Sequence, residues 1–282
     1  PFIKEHFGNI SQREIARRLG IGCTTVGRWS SELGYNYKKH TVNDRFFDVL
    51  TEESAYLLGF IYADGNIAWN PQKGYYSLTI TAAAKDKEHL EKMRLLLSST
   101  KSLLFSAKTN SYRLIANNKY LCERLMMLGV LPRKSLTVQF PHFIPPDYFR
   151  HFIRGVIDGD GTVYIYRVNK IFQIKAGFVC ASYDFIKDFN QRLCKSLNIA
   201  EKTIHQIYDI KHGRKPKYSF SLYIDDCEKL KDFIYSSGSE LCLPRKRKIF
   251  EKWSKIKKRP YVKNNYPSKI GWNLTEGLSY IK

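Results

Sequence analysis

The chain has 282 residues, with 47 Lys and Arg against 26 Asp and Glu and a formal net charge of +21 at pH 7. That length suits about two ordinary domains, or one duplicated domain with an appendage, and the charge creates the long-range field of a protein drawn to polyanions, nucleic acid first among them. There is no run of 18 apolar residues and no signal-like apolar region, so a membrane role is set aside and a soluble, intracellular protein is expected. Six cysteines form no C-x-x-C pair and no Cys/His zinc spacing, and read as reduced and structural.

Residues 1–40 read as three short helices. Ser11-Gln12-Arg13-Glu14 makes a capping box ahead of Ile15, Ala16 and Leu19 on one apolar face, Gly20 ends that helix, and Ile21-Gly22 supplies a tight turn. Cys23 to Leu33 then forms a third helix with Val26, Trp29 and Leu33 as its core stripe. This is a helix-turn-helix pattern, a small all-α module for DNA. It leaves Thr24, Thr25, Arg28 and Ser31 on an exposed face, able to reach phosphates or base edges in a major groove. A helical bundle without a DNA role is the alternative, and Gly27 is a poor residue for a recognition helix. Residues 41–50, polar around Phe46 and Phe47, read as a linker.

From about residue 51 one plan occurs twice. The run Leu57-Leu58-Gly59-Phe60-Ile61-Tyr62-Ala63-Asp64-Gly65 returns as Ile153-Arg154-Gly155-Val156-Ile157-Asp158-Gly159-Asp160-Gly161. Small residues at its third and seventh positions let two such helices pack closely, and the Asp at the eighth lies where the packed pair brings both C-terminal ends together. Two carboxylates converging on one spot point to a divalent-metal site. After the first copy come strand-like runs around Tyr75 to Ala82 and Leu103 to Ile115, separated by a helix carrying Leu90, Met93 and Leu97. After the second come strands at Thr162 to Val168 and Phe172 to Cys180, a helix carrying Ile186, Phe189 and Leu193, and strands near Thr203 to Ile210 and Tyr218 to Ile224. A second repeated element closes each half, Leu131-Pro132-Arg133-Lys134 and Leu243-Pro244-Arg245-Lys246. Two matching elements bracketing one plan make the chain an internal duplication. The expected domains are 1–40, the helix-turn-helix; 41–50, the linker; 51–146 and 147–254, the two repeats; and 255–282, a basic tail that either clamps a backbone or stays solvated.

Over roughly residues 51–254 these motifs resemble the signature of the LAGLIDADG homing endonucleases. The resemblance implies an α+β fold, a duplicated αββαββα unit with pseudo-twofold symmetry, added here to the helix-turn-helix. It implies a monomer of the intron-homing kind that binds a long asymmetric double-stranded DNA target and hydrolyses both strands with Mg²⁺, for which Ca²⁺ or Mn²⁺ can substitute in the site. By the same resemblance Asp64 and Asp160 are the catalytic acids and metal ligands, with the Ala63 and Gly159 carbonyls beside them. Lys134 and Lys246 then lie near the cleaved phosphate, where an ammonium steadies developing charge; a surface cation at a helix start is the other reading. Asp158, which stands where the first copy has Tyr62, reads as interacting near the helix ends rather than as a ligand. The polar residue that relatives carry at the end of the second strand has only Lys85 and Ser182 as candidates here.

DNA reading is expected from the strands. Alternation exposes Ser77, Thr79 and Thr81 in the first repeat and Gln173 and Lys175 in the second, with Asn70, Gln72, Tyr164 and Tyr166 of matching parity. Any solvated antiparallel sheet alternates in the same way. Lys211 to Lys217 reads as a basic hairpin tip that offers Arg214, Lys215 and Lys217 to phosphates. Two other readings share the fold: an RNA-binding intron maturase and a non-cutting DNA-binding regulator. Both acids are dispensable to a pure binder.

Overall fold

The computed structural model describes residues 1–7, 9–35, 40–209, 214–236, 238 and 241–256. The chain opens with α1 (Phe2–His6), α2 (Gln12–Leu19) and α3 (Cys23–Glu32), which share a small core of Ile3, Ile15, Ala16 and Val26. α2 begins where Ser11 Oγ accepts the Glu14 N–H and ends at Gly20, left-handed at φ 67°. Half of the capping box forms, because the Glu14 carboxylate is drawn to Arg17 and Arg18 at 2.7 and 2.8 Å. The expected stripe on α3 is corrected: Val26 is buried, but Trp29 is 39% and Leu33 54% exposed. Three short helices enclose too little interior to cover both side chains, and α3 buries Ser30 in their place. Gly27 has a packing reason. Gln12 Nε2 crosses it to donate to the Cys23 carbonyl at 2.6 Å, and a Cβ on Gly27 would strike that amide.

Residues 41–50 are packed rather than loose. Phe47 is buried in the main core, Val42, Phe46 and Leu50 lie against it, and the Thr41 N–H donates to Thr100 Oγ1 at 2.8 Å. The apolar side chains within this polar run tie it to the first repeat.

That repeat consists of α4 (Glu52–Asp64), β1 (Gly65–Asn70), β2 (Tyr75–Ala83), α5 (Lys87–Leu96), β3 (Leu104–Ser106), β4 (Ser111–Ala116) and α6 (Lys119–Met127). The second consists of α7 (Pro146–Gly159), β5 (Thr162–Val168), β6 (Ile171–Cys180), α8 (Tyr183–Leu197), β7 (His205–Asp209), β8 (Arg214–Tyr223) and α9 (Ile224–Tyr235), followed by α10 (Pro244–Lys255). Each half builds one four-stranded antiparallel sheet, ordered β1-β2-β4-β3 and β5-β6-β8-β7. The inner rows, such as Ile67, Leu78, Ile80 and Leu114 in one sheet and Ile174, Phe178, Phe220 and Leu222 in the other, join a core continuous through both halves.

α4 and α7 form the centre. α4 starts at a complete capping box of Thr51 and Ser54, and Ser54 to Tyr62 are buried all round, as in a helix with no solvent face. The two helices touch backbone to backbone at the third motif positions. A Cβ on Gly59 would run into the Phe152 carbonyl, and one on Gly155 into the Tyr56 carbonyl. At the seventh positions a Cβ on Gly159 would collide with that of Ala63. α4 passes directly into β1 and α7 almost directly into β5, so the paired helix ends sit where both sheets begin.

Candidate active site

Asp64 is the last residue of α4 and Asp160 the C-cap of α7. Asp64 Oδ2 lies 3.4 Å from where a Cβ on Gly159 would stand, which brings the first acid against the second motif. Both acids are reachable by solvent, yet protein crowds them on most sides. Desolvation, followed by the Asp160 carboxylate, pushes Asp64 up to about 6, against the pull of Lys246, Lys134 and Arg245. Desolvation also raises Asp160, opposed by Lys134, Lys246 and Lys217.

A folded-state pKa raised from 3.8 to about 6 means that the fold holds the Asp64 proton more tightly than the unfolded chain does. The associated stability is complete below pH 3.8 and is lost as pH rises through about 6. Asp64→Asn should therefore stabilise the metal-free protein at pH 7.5, by on the order of 1 kcal/mol after allowance for solvent screening, or roughly 2–4 °C. The gain should vanish near pH 4. Calorimetry in chelator at both pH values checks this, and equal melting shifts at the two would contradict it.

The repeated lysines are interior groups, 8% exposed at Lys134 and 4% at Lys246, so the surface-cation alternative is set aside. Lys246 Nζ donates to the carbonyls of Ile157, Asp158 and Gly161 at 2.6, 2.8 and 2.6 Å, and to Gly159 at 3.2 Å. Lys134 Nζ donates to Gly65 O at 2.6 Å and reaches Ala63 O at 3.5 Å. Each ammonium thus gathers carbonyls at and just beyond the end of a helix, among them Ile157 O, which also accepts the Gly161 N–H at 3.0 Å. An ammonium has three N–H donors, so Lys246 has none to spare for a phosphate and acts on its surroundings through charge. Burial brings Lys246 down to about 8 and lowers Lys134.

The third polar candidates fall elsewhere. Ser182 is buried and caps α8 by accepting the Phe185 N–H, and Lys85 is exposed in the turn after β2. Cys180 is among the side chains that line a small cavity together with Asp160, Tyr62 and Ala63. Sequence reasoning passed over it because a thiol is not the expected polar group.

On the open sheet faces, Asn70, Thr79 and Thr81 share one side of the first sheet, and Tyr164, Tyr166, Gln173 and Lys175 one side of the second. Tyr166 Oη donates to Gln173 Oε1 at 2.8 Å, and Lys175 Nζ stands 5.4 Å from the Tyr223 ring centre. Two assignments are corrected. Ser77 has the outward parity but is 2% exposed, and Gln72 belongs to a short 3₁₀ turn, Pro71–Lys73, rather than a strand. Arg113, exposed opposite Thr81 and Leu104, was missed, although the alternation within Ser111–Ala116 could have revealed it. Lys215 and Lys217 lie in strand β8, which Arg214 begins, rather than in a hairpin tip. Residues 211–213 of that segment, and the tail from 257, lie outside the described residues. On α3, Thr24 and Arg28 are exposed and Thr25 is half-buried, while Ser31 Oγ donates back to the Gly27 carbonyl at 3.0 Å.

Among the described residues no three His, Cys, Asp or Glu side chains converge as a metal cluster. At the adjoining helix ends stand two carboxylates and, beside each in the chain, the carbonyls of Ala63 and Gly159, which would make an all-oxygen set. Those carbonyls take the longest contacts of the two lysines, 3.5 and 3.2 Å, and retain lone-pair capacity. Such a set, completed by waters, fits Mg²⁺, and two acids raised by desolvation, Asp64 further by the Asp160 charge, are in the state that a divalent cation relieves.

Two matching antiparallel sheets carried on a glycine-packed pair of acid-tipped helices constitute the LAGLIDADG fold. Residues 51–126 match the family model described as LAGLIDADG-like domain. The fold is shared with the solved structure of meganuclease I-SmaMI bound to uncleaveable DNA, at 13% identity over 73% of this chain and 90% of that one, with a TM-score of 0.50. It is shared equally with LAGLIDADG meganuclease I-AabMI bound to uncleaved DNA, at 12% identity over 73% and 89%, also with a TM-score of 0.50. An uncharacterized protein of Methanocaldococcus jannaschii is 26% identical over 206 residues, 71% of this chain and 67% of that protein. Among the described residues no helix is long and apolar enough to cross a membrane.

Proposed function

We propose that this chain is a site-specific homing endonuclease that makes a double-strand break in a long, asymmetric DNA target as a monomer. The observation that carries the reading is the convergence of Asp64 and Asp160 at the adjoining ends of α4 and α7, flanked by two sheets whose outer faces are open and mix polar and apolar side chains. A pure binder has no use for two like charges held together at a cost to stability.

In this reading Asp64, Asp160 and the Ala63 and Gly159 carbonyls hold Mg²⁺. When bound, the ion supplies Lewis acidity and lowers the pKa of water. The carboxylates must be ionised to bind it, which sets the working range above about pH 6. Lys134 and Lys246 fix the helix ends, and their charge keeps both acids more ionised than burial alone allows. Thr79, Thr81 and Arg113 on one sheet, and Tyr164, Gln173, Lys175 and Lys217 on the other, follow the two halves of the duplex, and the net charge of +21 draws it in. Incubation with plasmids carrying a randomised target, with and without Mg²⁺, tests the proposal. Linear product that requires Mg²⁺ supports it; tight DNA binding with no cutting of any target identifies the regulator, and preference for intron RNA the maturase.

The N-terminal helices act, in the same proposal, as a DNA-binding module that extends the footprint on one flank through Thr24, Arg28 and neighbouring cations. Deletion of residues 1–40 leaves the packed segment 41–50 in place. It should weaken binding, flatten the salt dependence and shorten protection on one side, with cut positions unchanged. Identical footprints and salt slopes with and without the module would assign it to another partner.

A further inference from the structure

The two lysines reach equivalent places by different means. In the first repeat Tyr62 Oη donates to Leu128 O at 2.6 Å, a neutral contact just upstream of the Lys134 turn. In the second repeat α7 holds the strap Leu241–Leu243, which leads into α10, with two charged side chains one turn apart. Arg154, 1% exposed, donates from Nε to the Leu241 carbonyl at 2.9 Å and from a terminal nitrogen to Ile234 O at 2.9 Å. Asp158, 2% exposed, accepts the Leu243 N–H on Oδ2 at 2.7 Å. Leu243 is the N-cap of α10, and Lys246 lies three residues further on, where it returns to the carbonyls at the end of α7.

Asp158 also crosses to the other repeat. Its Oδ2 accepts the Tyr56 hydroxyl of α4 at 2.8 Å, and that oxygen is 2.7 Å from His89 Nε2. With Tyr56 donating to Asp158, His89 donates to Tyr56. Among the described residues Asp158 Oδ1 is buried without a hydrogen-bond partner, and its charge is the strongest of those favouring the Lys246 ammonium. Burying a carboxylate in this way is costly, and the first repeat folds the same way with Tyr62 in its place. The acid is therefore not a requirement of the fold.

We propose that Asp158 is a positioning residue for Lys246: it clamps the strap at Leu243 so that α10 delivers the ammonium to the end of α7, and through Tyr56 it couples that delivery to the helix carrying Asp64. The catalytic part of the proposal rests on the nuclease reading above; the clamp itself does not.

The test uses the full chain with Asp158→Asn, which keeps volume and one acceptor. Amide exchange at Leu243 should accelerate at least tenfold while amides in the sheets stay unchanged. In single-turnover cutting at saturating protein, Asp158→Asn should slow cleavage at least tenfold with DNA affinity within twofold. Combined with Lys246→Met, it should add less than twofold to the loss caused by Lys246→Met alone, because both act through one ammonium. Tyr56→Phe, which removes a single donor from the same carboxylate, should give a smaller change of the same kind and serves if Asp158→Asn does not fold. Unchanged Leu243 exchange in the variants overturns the clamp, and because that readout needs no DNA it decides even if the chain cuts nothing. Multiplying losses in the double variant, or a fall in affinity that matches the fall in rate, overturns the positioning role.

Discussion

Asp64→Asn or Asp160→Asn alone should abolish double-strand cutting, with the rate falling on the order of 1000-fold or more and DNA affinity changing by only a few fold. On the proposed reading a divalent ion would supply several kcal/mol of transition-state stabilisation, and each 1.36 kcal/mol is tenfold in rate. The two acids come from different repeats and act on one another strongly enough that Asp160 helps hold Asp64 at about 6, so removing either one degrades the shared oxygen set. On the proposed reading, binding draws on the open faces of both sheets and on the charge of +21, which the substitutions leave in place. Supercoiled plasmid separates the outcomes, because nicked and linear products are resolved and affinity is measured in parallel. Linear product formed at the native rate by either variant in Mg²⁺ would sink the assignment of the acids.

The second large effect is on folding. Gly155→Ala should destabilise the protein by about 3 kcal/mol or more, the upper range for overpacking, because the new Cβ meets backbone instead of a side chain that can turn away. It would strike the Tyr56 carbonyl and the Phe60 nitrogen, and on the opposite helix Gly59→Ala would strike the Phe152 carbonyl. Relief requires α4 and α7 to separate, which opens the core along Ser54 to Tyr62 and draws Asp64 away from Asp160. Gly177→Ala is the matched control, since its Cβ meets only Ser221 Oγ, at 3.8 Å, and its effect should stay within about 1 kcal/mol. Urea unfolding of the three variants distinguishes them. A Gly155→Ala protein as stable as the control would mean that backbone contact does not set the helix spacing.

The small residues at the third and seventh motif positions and the acids at the eighth could be read from the chain. Spacing along one helix determines which residues share a face, and only glycine admits backbone contact. The alternation of the strands was legible for the same local reason, since successive side chains must leave a strand on opposite sides. Even there the reading stopped at parity: Ser77 has the outward parity and is covered, because exposure depends on the size of neighbours supplied by other strands.

Trp29 and Leu33 showed the limit of periodicity, which places residues on one stripe without saying how much protein exists to cover it. The lysines showed a deeper limit. A repeated Pro-Arg-Lys says that an ammonium recurs, but its carbonyl partners lie 69 and 71 residues away for Lys134 and 85 to 89 for Lys246. The same holds for Asp158, whose sequence position marks it only as different from Tyr62, while its partners Tyr56 and Leu243 are 102 and 85 residues distant. The sequence by itself determined the duplication, the paired acids and the glycine contact, all properties of residue type at fixed local spacing. The tertiary structure alone decided which charges are buried and what holds them, because desolvation and hydrogen bonding depend on atoms that only folding brings together.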